Sequence, residues 1–104
     1  MNPHHHLAGQ GATVLDIGDD VGALVLYTDA SLAGAEIEIS PAVNPTQRQH
    51  VAVHRRPHTD AYAAVYPNLR EGRYELWAAD GTVALDVVIS GGTITEARWP
   101  RRVA

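Results

Sequence analysis

The sequence predicts an all-β protein, a single antiparallel β-sandwich of about seven to eight short strands and of immunoglobulin size. Three observations predict it. Short apolar runs with a two-residue alternation follow one another at close spacing, separated by turn residues. No segment sustains a helical period beyond two turns. The stretch Leu69-Arg70-Glu71-Gly72-Arg73-Tyr74-Glu75-Leu76 reads as a polar turn that opens a strand on a tyrosine. There Leu69 can plug the core, and Gly72 can take a turn dihedral closed to other residues. Tyr74 can bury its ring and return its hydroxyl to nearby backbone, as the tyrosine corner of Greek-key sandwiches does.

Residues 1–11 are a polar, Gly-containing lead, and 12–104 are expected to form one domain, since 104 residues suffice for a single modest core. Thr13, Leu15 and Ile17 alternate with Val14 and Asp16 as a first strand, and Gly18-Asp19-Asp20 turns the chain. Gly22 to Thr28 is apolar on both faces, which suits a central strand. Ser31 to Gly34 turns again, with room for one helical turn. Ala35, Ile37 and Ile39 then face one way and Glu36, Glu38 and Ser40 the other, the pattern of a half-buried strand. Pro41 to Gln47, with two prolines, is expected to bridge the two sheets.

Gln49 to Arg55 resumes the alternation with Val51 and Val53 inward, and Pro57 closes it because proline cannot donate to a central ladder. Ala61 to Tyr66 follows, and Pro67-Asn68 leads to the corner. Asp80-Gly81 marks a tight hairpin. Val83, Leu85, Val87 and Ile89 face the core, and Gly91-Gly92 turns the chain into a last strand, Thr93 to Trp99, stopped by Pro100. The expected core is Leu24, Leu26, Ile37, Ile39, Val51, Val53, Leu69, Tyr74, Leu76, Leu85, Val87 and Ile89.

The formal net charge of −4 argues for a soluble protein and against a generic polyanion binder. The absence of cysteine removes disulfides, thiolate metal sites and Cys nucleophiles. Met1-Asn2-Pro3-His4-His5-His6-Leu7 has neither a basic start nor an apolar run, and Ala23 to Tyr27 is far too short to cross a bilayer. A cytoplasmic protein with no membrane partner is the expectation.

The Leu69-to-Leu76 segment, followed by Asp80-Gly81, Val87-Val88-Ile89 and Gly91-Gly92-Thr93, resembles the closing strands of prealbumin-like domains. That group includes transthyretin and the Cna-B-type and carboxypeptidase-regulatory-like modules. Gly34-Ala35-Glu36-Ile37-Glu38-Ile39 is similar to their earlier strand, so the resemblance spans Gly22 to Trp99. It implies a stalk, accessory or ligand-presenting module, and homodimers built through a free sheet edge or face. The transthyretin-related hydroxyisourate hydrolases are the enzymatic relatives. Thr13 stands where their first strand carries a His, and Trp99-Pro100-Arg101-Arg102-Val103-Ala104 lacks their Tyr-Arg-Gly-Ser ending. Their activity is therefore not expected here.

Catalytic constellations are missing from the sequence: there is no Gly-x-Ser-x-Gly elbow and no phosphate-cradling Gly loop before a helix. Glu36 and Glu38 share an outer strand face about 7 Å apart, a separation glycosidases use, but an exposed alternating face explains them. Asp16 to Asp20 is an acidic turn without the spacing of a calcium loop. Histidine offers a metal reading, with Zn²⁺, Cu²⁺ or Ni²⁺ as the ion. Candidate ligands are His4, His5 and His6 in the lead, and His54 with His58 across Pro57. On one strand His50 and His54 would share a face yet lie about 13 Å apart, too far for one ion.

No cofactor is expected otherwise. Arg55 and Arg56, within the locally basic stretch from Gln47 to His58, can hold an anion or a protein partner. With no aromatics interleaved among the arginines and an acidic chain, nucleic acid is not expected. Trp77 falls on the face opposite Tyr74 and Leu76. If its strand pairs with Tyr62-to-Tyr66, then Trp77, Tyr62 and Tyr66 form an exposed aromatic patch that marks a contact site. The alternative is that Trp77 caps one edge of the core or lies under the Pro41–Gln47 loop. The sequence thus points to a small non-catalytic module for protein binding or self-assembly, with His-mediated metal binding as the rival.

Overall fold

The computed structural model describes residues 17–100. The first expected strand therefore lies outside the described residues except for Ile17, which is not in a strand. His4, His5, His6, Arg101 and Arg102 also lie outside them.

Among the described residues there are eight strands in chain order: β1 (Val21–Thr28), β2 (Glu36–Pro41), β3 (Gln49–Ala52), β4 (His54–Arg55), β5 (Tyr62–Arg70), β6 (Gly72–Trp77), β7 (Val83–Ile89) and β8 (Ile94–Arg98). A single 3₁₀ turn, Ala30–Leu32, occupies the expected helical turn. The strands form two four-stranded sheets, ordered β4-β5-β1-β8 and β3-β2-β6-β7, whose inner faces make one core. The β-sandwich class is as expected, with one exception to antiparallel pairing: β1 and β8 run parallel. Such a pair needs a long crossover, and the other six strands lie between these two in the chain.

All twelve expected core residues lie in or against the core, with Val51 and Leu85 partly buried at its margin. β1 is the central strand its two apolar faces predict: Leu24 and Leu26 belong to the core, while Ala23 and Val25 are buried outside that cluster. Val83 departs from expectation, 42% exposed beside the irregularity where β7 leaves register with Trp77.

Two linkers differ from expectation. Pro41 to Gln47 does not bridge the sheets, because β2 and β3 pair antiparallel within one sheet and the loop simply joins them. The sheet switch occurs instead at Val53. β3 pairs with β2, while β4, one residue further on, pairs with β5 of the other sheet. Val53 is fully buried, bonding both ways to the turn before β2: its N–H donates to Ala35 and its carbonyl accepts from Gly34. β5 also runs straight through Pro67 and Asn68 to Arg70, with one extra residue between the pairs Leu24–Tyr66 and Gly22–Leu69. That bulge falls where β4 no longer runs alongside, since β4 pairs only with Tyr62 and Ala63.

The corner forms as the sequence predicts. Leu69 is 2% exposed, Gly72 takes a φ of 143°, and the Tyr74 hydroxyl donates to the Arg70 carbonyl at 2.6 Å. Burial, partly opposed by the Arg70 charge, raises the Tyr74 phenol above its ordinary pKa. Tyr74→Phe keeps the ring and deprives the Arg70 carbonyl of the hydroxyl, an expected loss of about 1–3 kcal/mol. Tyr74→Ala adds a cavity and is expected to cost about 3–5 kcal/mol. Urea melts of the two variants check this, and a silent Phe variant would show that the bond does not hold the corner.

Candidate functional site

The outer face of the β3-β2-β6-β7 sheet carries the larger polar network. Trp77 on β6 stands opposite Glu38 on β2, and its indole N–H donates at 2.9 Å to the Ser40 hydroxyl, which is fully buried. The Arg48 guanidinium stacks over the Trp77 ring at 3.7 Å and donates to Glu38 at 2.7 Å. A cation over an indole is favoured by the ring's negative face. Thus Trp77 does lie on the outward face, but half-buried under Arg48, the residue that follows the Pro41–Gln47 loop. Beside it His50 Nδ1 and Glu36 Oε1 are 2.8 Å apart. At this end of the face Glu36 and Glu38, read in sequence as a carboxylate pair, each have a cationic or imidazole partner.

The expected aromatic patch does not form. Tyr62 and Tyr66 belong to β5 in the opposite sheet from Trp77, and both point inward. Tyr66 is fully buried, and its hydroxyl donates across the sandwich to the Ile37 carbonyl of β2 at 2.8 Å. Tyr62 packs against the same core.

The break at Val53 also divides the histidines. His50 lies on β3 against Glu36, His54 on β4 in the other sheet, and His58 in the turn beyond at a left-handed φ of 60°. Among the described residues no group of three or more His, Asp or Glu gathers to hold a metal ion. In the acidic turn Asp19 takes a φ of 51°, and Asp20 accepts from Arg70 at 2.6 Å. Arg55 is exposed and Arg56 half-buried, and neither makes an ion pair among the described residues. They border a cavity of about 100 Å³ whose other lining is chiefly apolar, including Val51, Pro57, Ala63 and Val65.

A cleft of about 640 Å³ opens at one end of the sandwich, where β2 and β5 end and β1, β3 and β6 begin. The described residues lining it are mainly apolar and amide side chains, with Asp19, Tyr74, Arg48 and Arg70, and they include no serine, threonine, cysteine or histidine. Its two guanidiniums are already engaged, by Glu38 and Asp20.

The feature that sequence reading missed is the edge strand β7. The Arg73 carbonyl accepts from Ala42, so Arg73 and Glu75 turn their backbone towards β2. Tyr74 and Leu76 therefore bond to β7 through Val87 and Leu85. Asp86 and Val88 consequently present their backbone groups outward, away from β6. Among the described residues the only partner there is Thr95, whose hydroxyl reaches the Val88 carbonyl at 3.4 Å. Val88 is 62% exposed. The other margins carry protection that β7 lacks: β3 has only four residues and His50, β4 only two, β5 has Pro67 and its bulge, and β8 carries Glu96 and Arg98. β7 runs for seven residues with Asp86 as its one charged side chain. Edge status comes from topology, and no local signal in Val83-to-Ile89 announces it.

No protein-family model matches the chain, and no curated protein matches it. Among solved structures a leucine-rich repeat protein from Bacteroides thetaiotaomicron is similar over 77% of this chain, at 16% identity and a TM-score of 0.43. The matched region is 12% of that protein's length. Among the described residues no helix is long and apolar enough to cross a membrane.

Proposed function

We propose that this chain is a non-catalytic protein-contact module that self-associates through the edge strand β7. The observation that carries the reading is the open margin of β7, a long strand with outward backbone groups at Asp86 and Val88 and an exposed valine. Such a margin is a template for another strand, and proteins that do not use it cover or charge it. The resemblance to prealbumin-like domains is in keeping with this reading, since it implies pairing through a free sheet edge.

Val88→Lys tests it. The substitution places a charge on the margin at an exposed position, where effects on stability stay within about 0.5 kcal/mol. In sedimentation velocity across a dilution series, the wild-type chain is expected to show concentration-dependent association that Val88→Lys abolishes. A wild-type monomer at every concentration, or a variant that associates as the wild type does, would overturn the proposal.

A further inference from the structure

We propose that the partner of β7 is a second copy of this chain, engaged head to tail. Val88 and Asp86 of one copy would meet the apolar cavity and arginines at the β3–β4 corner of the next. The inference rests on the edge-contact reading above and goes beyond it by naming the receiving surface.

Two complementary features lie on opposite margins of the sandwich. β7 and β8 end the two sheet orders on one side, joined by the Ser90–Thr93 turn, and β3 and β4 end them on the other, joined by Val53 alone. On the β7 side, Asp86 stands directly opposite Glu75 on the same outer face, with no ion-pair partner for either among the described residues. Like charges facing each other across adjacent strands are destabilising until a cation joins them. Val88 projects from that face two residues further on, in register with Arg73.

The opposite margin carries the converse pair of properties. The cavity of about 100 Å³ is lined by Val51, Ala63 and Val65, with Arg55 and Arg56 beside them. A branched aliphatic side chain suits such a recess, and the two guanidiniums supply the charge that Glu75 and Asp86 lack. One molecule cannot satisfy itself, because knob and recess lie at opposite margins of the sandwich. The contact is therefore heterologous, and its repetition gives an open chain of molecules or a ring rather than a closed two-fold dimer. An exposed ion pair of this kind weakens with salt.

Charge exchange tests the pairing. Asp86→Arg and Arg55→Asp are both at exposed positions. Each alone places like charges across the junction and is expected to weaken association about tenfold or more. Mixed in equal amounts, they restore opposite charges at every junction, so the mixture should associate as the wild type does, growing with concentration beyond a dimer in light scattering. If Arg55→Asp associates like the wild type while Val88→Lys does not, the β7 contact stands and the head-to-tail inference falls. If Val88→Lys also associates normally, or the wild type stays monomeric, both fall.

Discussion

Replacing Tyr66 with Ala is expected to cost about 3–5 kcal/mol, a large part of the roughly 5–15 kcal/mol that holds a small domain together. Tyr66 is fully buried, the largest side chain that is, and its hydroxyl bond to the Ile37 carbonyl ties β5 of one sheet to β2 of the other. Removing the ring leaves a cavity between the sheets and takes away the hydroxyl's bond, while the Ile37 carbonyl keeps its place in the ladder with Val51 of β3. Tyr66→Phe leaves the packing and removes only the bond, an expected loss of about 0.5–1.5 kcal/mol.

The same residue gives the fold a limit in alkali. Burial pushes the Tyr66 phenol well above the ordinary tyrosine pKa. An unfolded tyrosine loses its proton near pH 10, whereas the folded one keeps it, so above that pH the folded state holds more protons. This contribution to stability is whole below about pH 10 and falls by about 1.4 kcal/mol per pH unit as pH rises further, until the folded phenol itself ionises. Urea melts at pH 8 through 11 check both parts. Tyr66→Phe should start less stable and lose less stability in alkali than the wild type. A wild-type curve flat above pH 10 would contradict the burial of this hydroxyl.

The second large effect is expected at Gly91. The turn between β7 and β8 presses its backbone onto the turn that enters β1, and a Cβ at Gly91 would collide with the Asp19 carbonyl and the Asp20 Cα. The same contact is held by Gly92 donating to the Val21 carbonyl at 2.9 Å, and Gly91 also donates to the carboxylate of Glu71 in the neighbouring β5–β6 corner at 3.2 Å. Because backbone stands on both sides, no side-chain rotation relieves the clash. Gly91→Ala is expected to cost about 3 kcal/mol, the upper part of the range for overpacking. Thermal melts read it, and an unchanged midpoint would show that the two turns do not touch in solution.

Much of this architecture was legible because strand alternation is a local property. Ile37 and Ile39 alternate with Glu36 and Glu38, and the structure buries the first pair and exposes the second. Leu69, Gly72 and Tyr74 identified the corner because their spacing carries its own geometry. The face of β5 was not legible. Tyr62-Ala63-Ala64-Val65-Tyr66 is apolar on both sides, so period two cannot say which tyrosines point inward. Nor was the sheet switch. Alternation continues from Gln49 to Arg55 with no Gly or Pro at Val53, and the identity of each strand's neighbour is a non-local fact. The β7 margin was hidden for the same reason: Val88 reads as one more strand residue until the sheet order leaves it at an edge.

Amide hydrogen exchange at low and high protein concentration tests the central claim most directly. If β7 is the contact strand, the amides of Asp86 and Val88 exchange freely when dilute and become protected as concentration rises, while the Trp77–Arg48 face of the same sheet is unchanged. Exchange at Asp86 and Val88 that is independent of concentration, with protection appearing instead on the Trp77–Arg48 face, would contradict it.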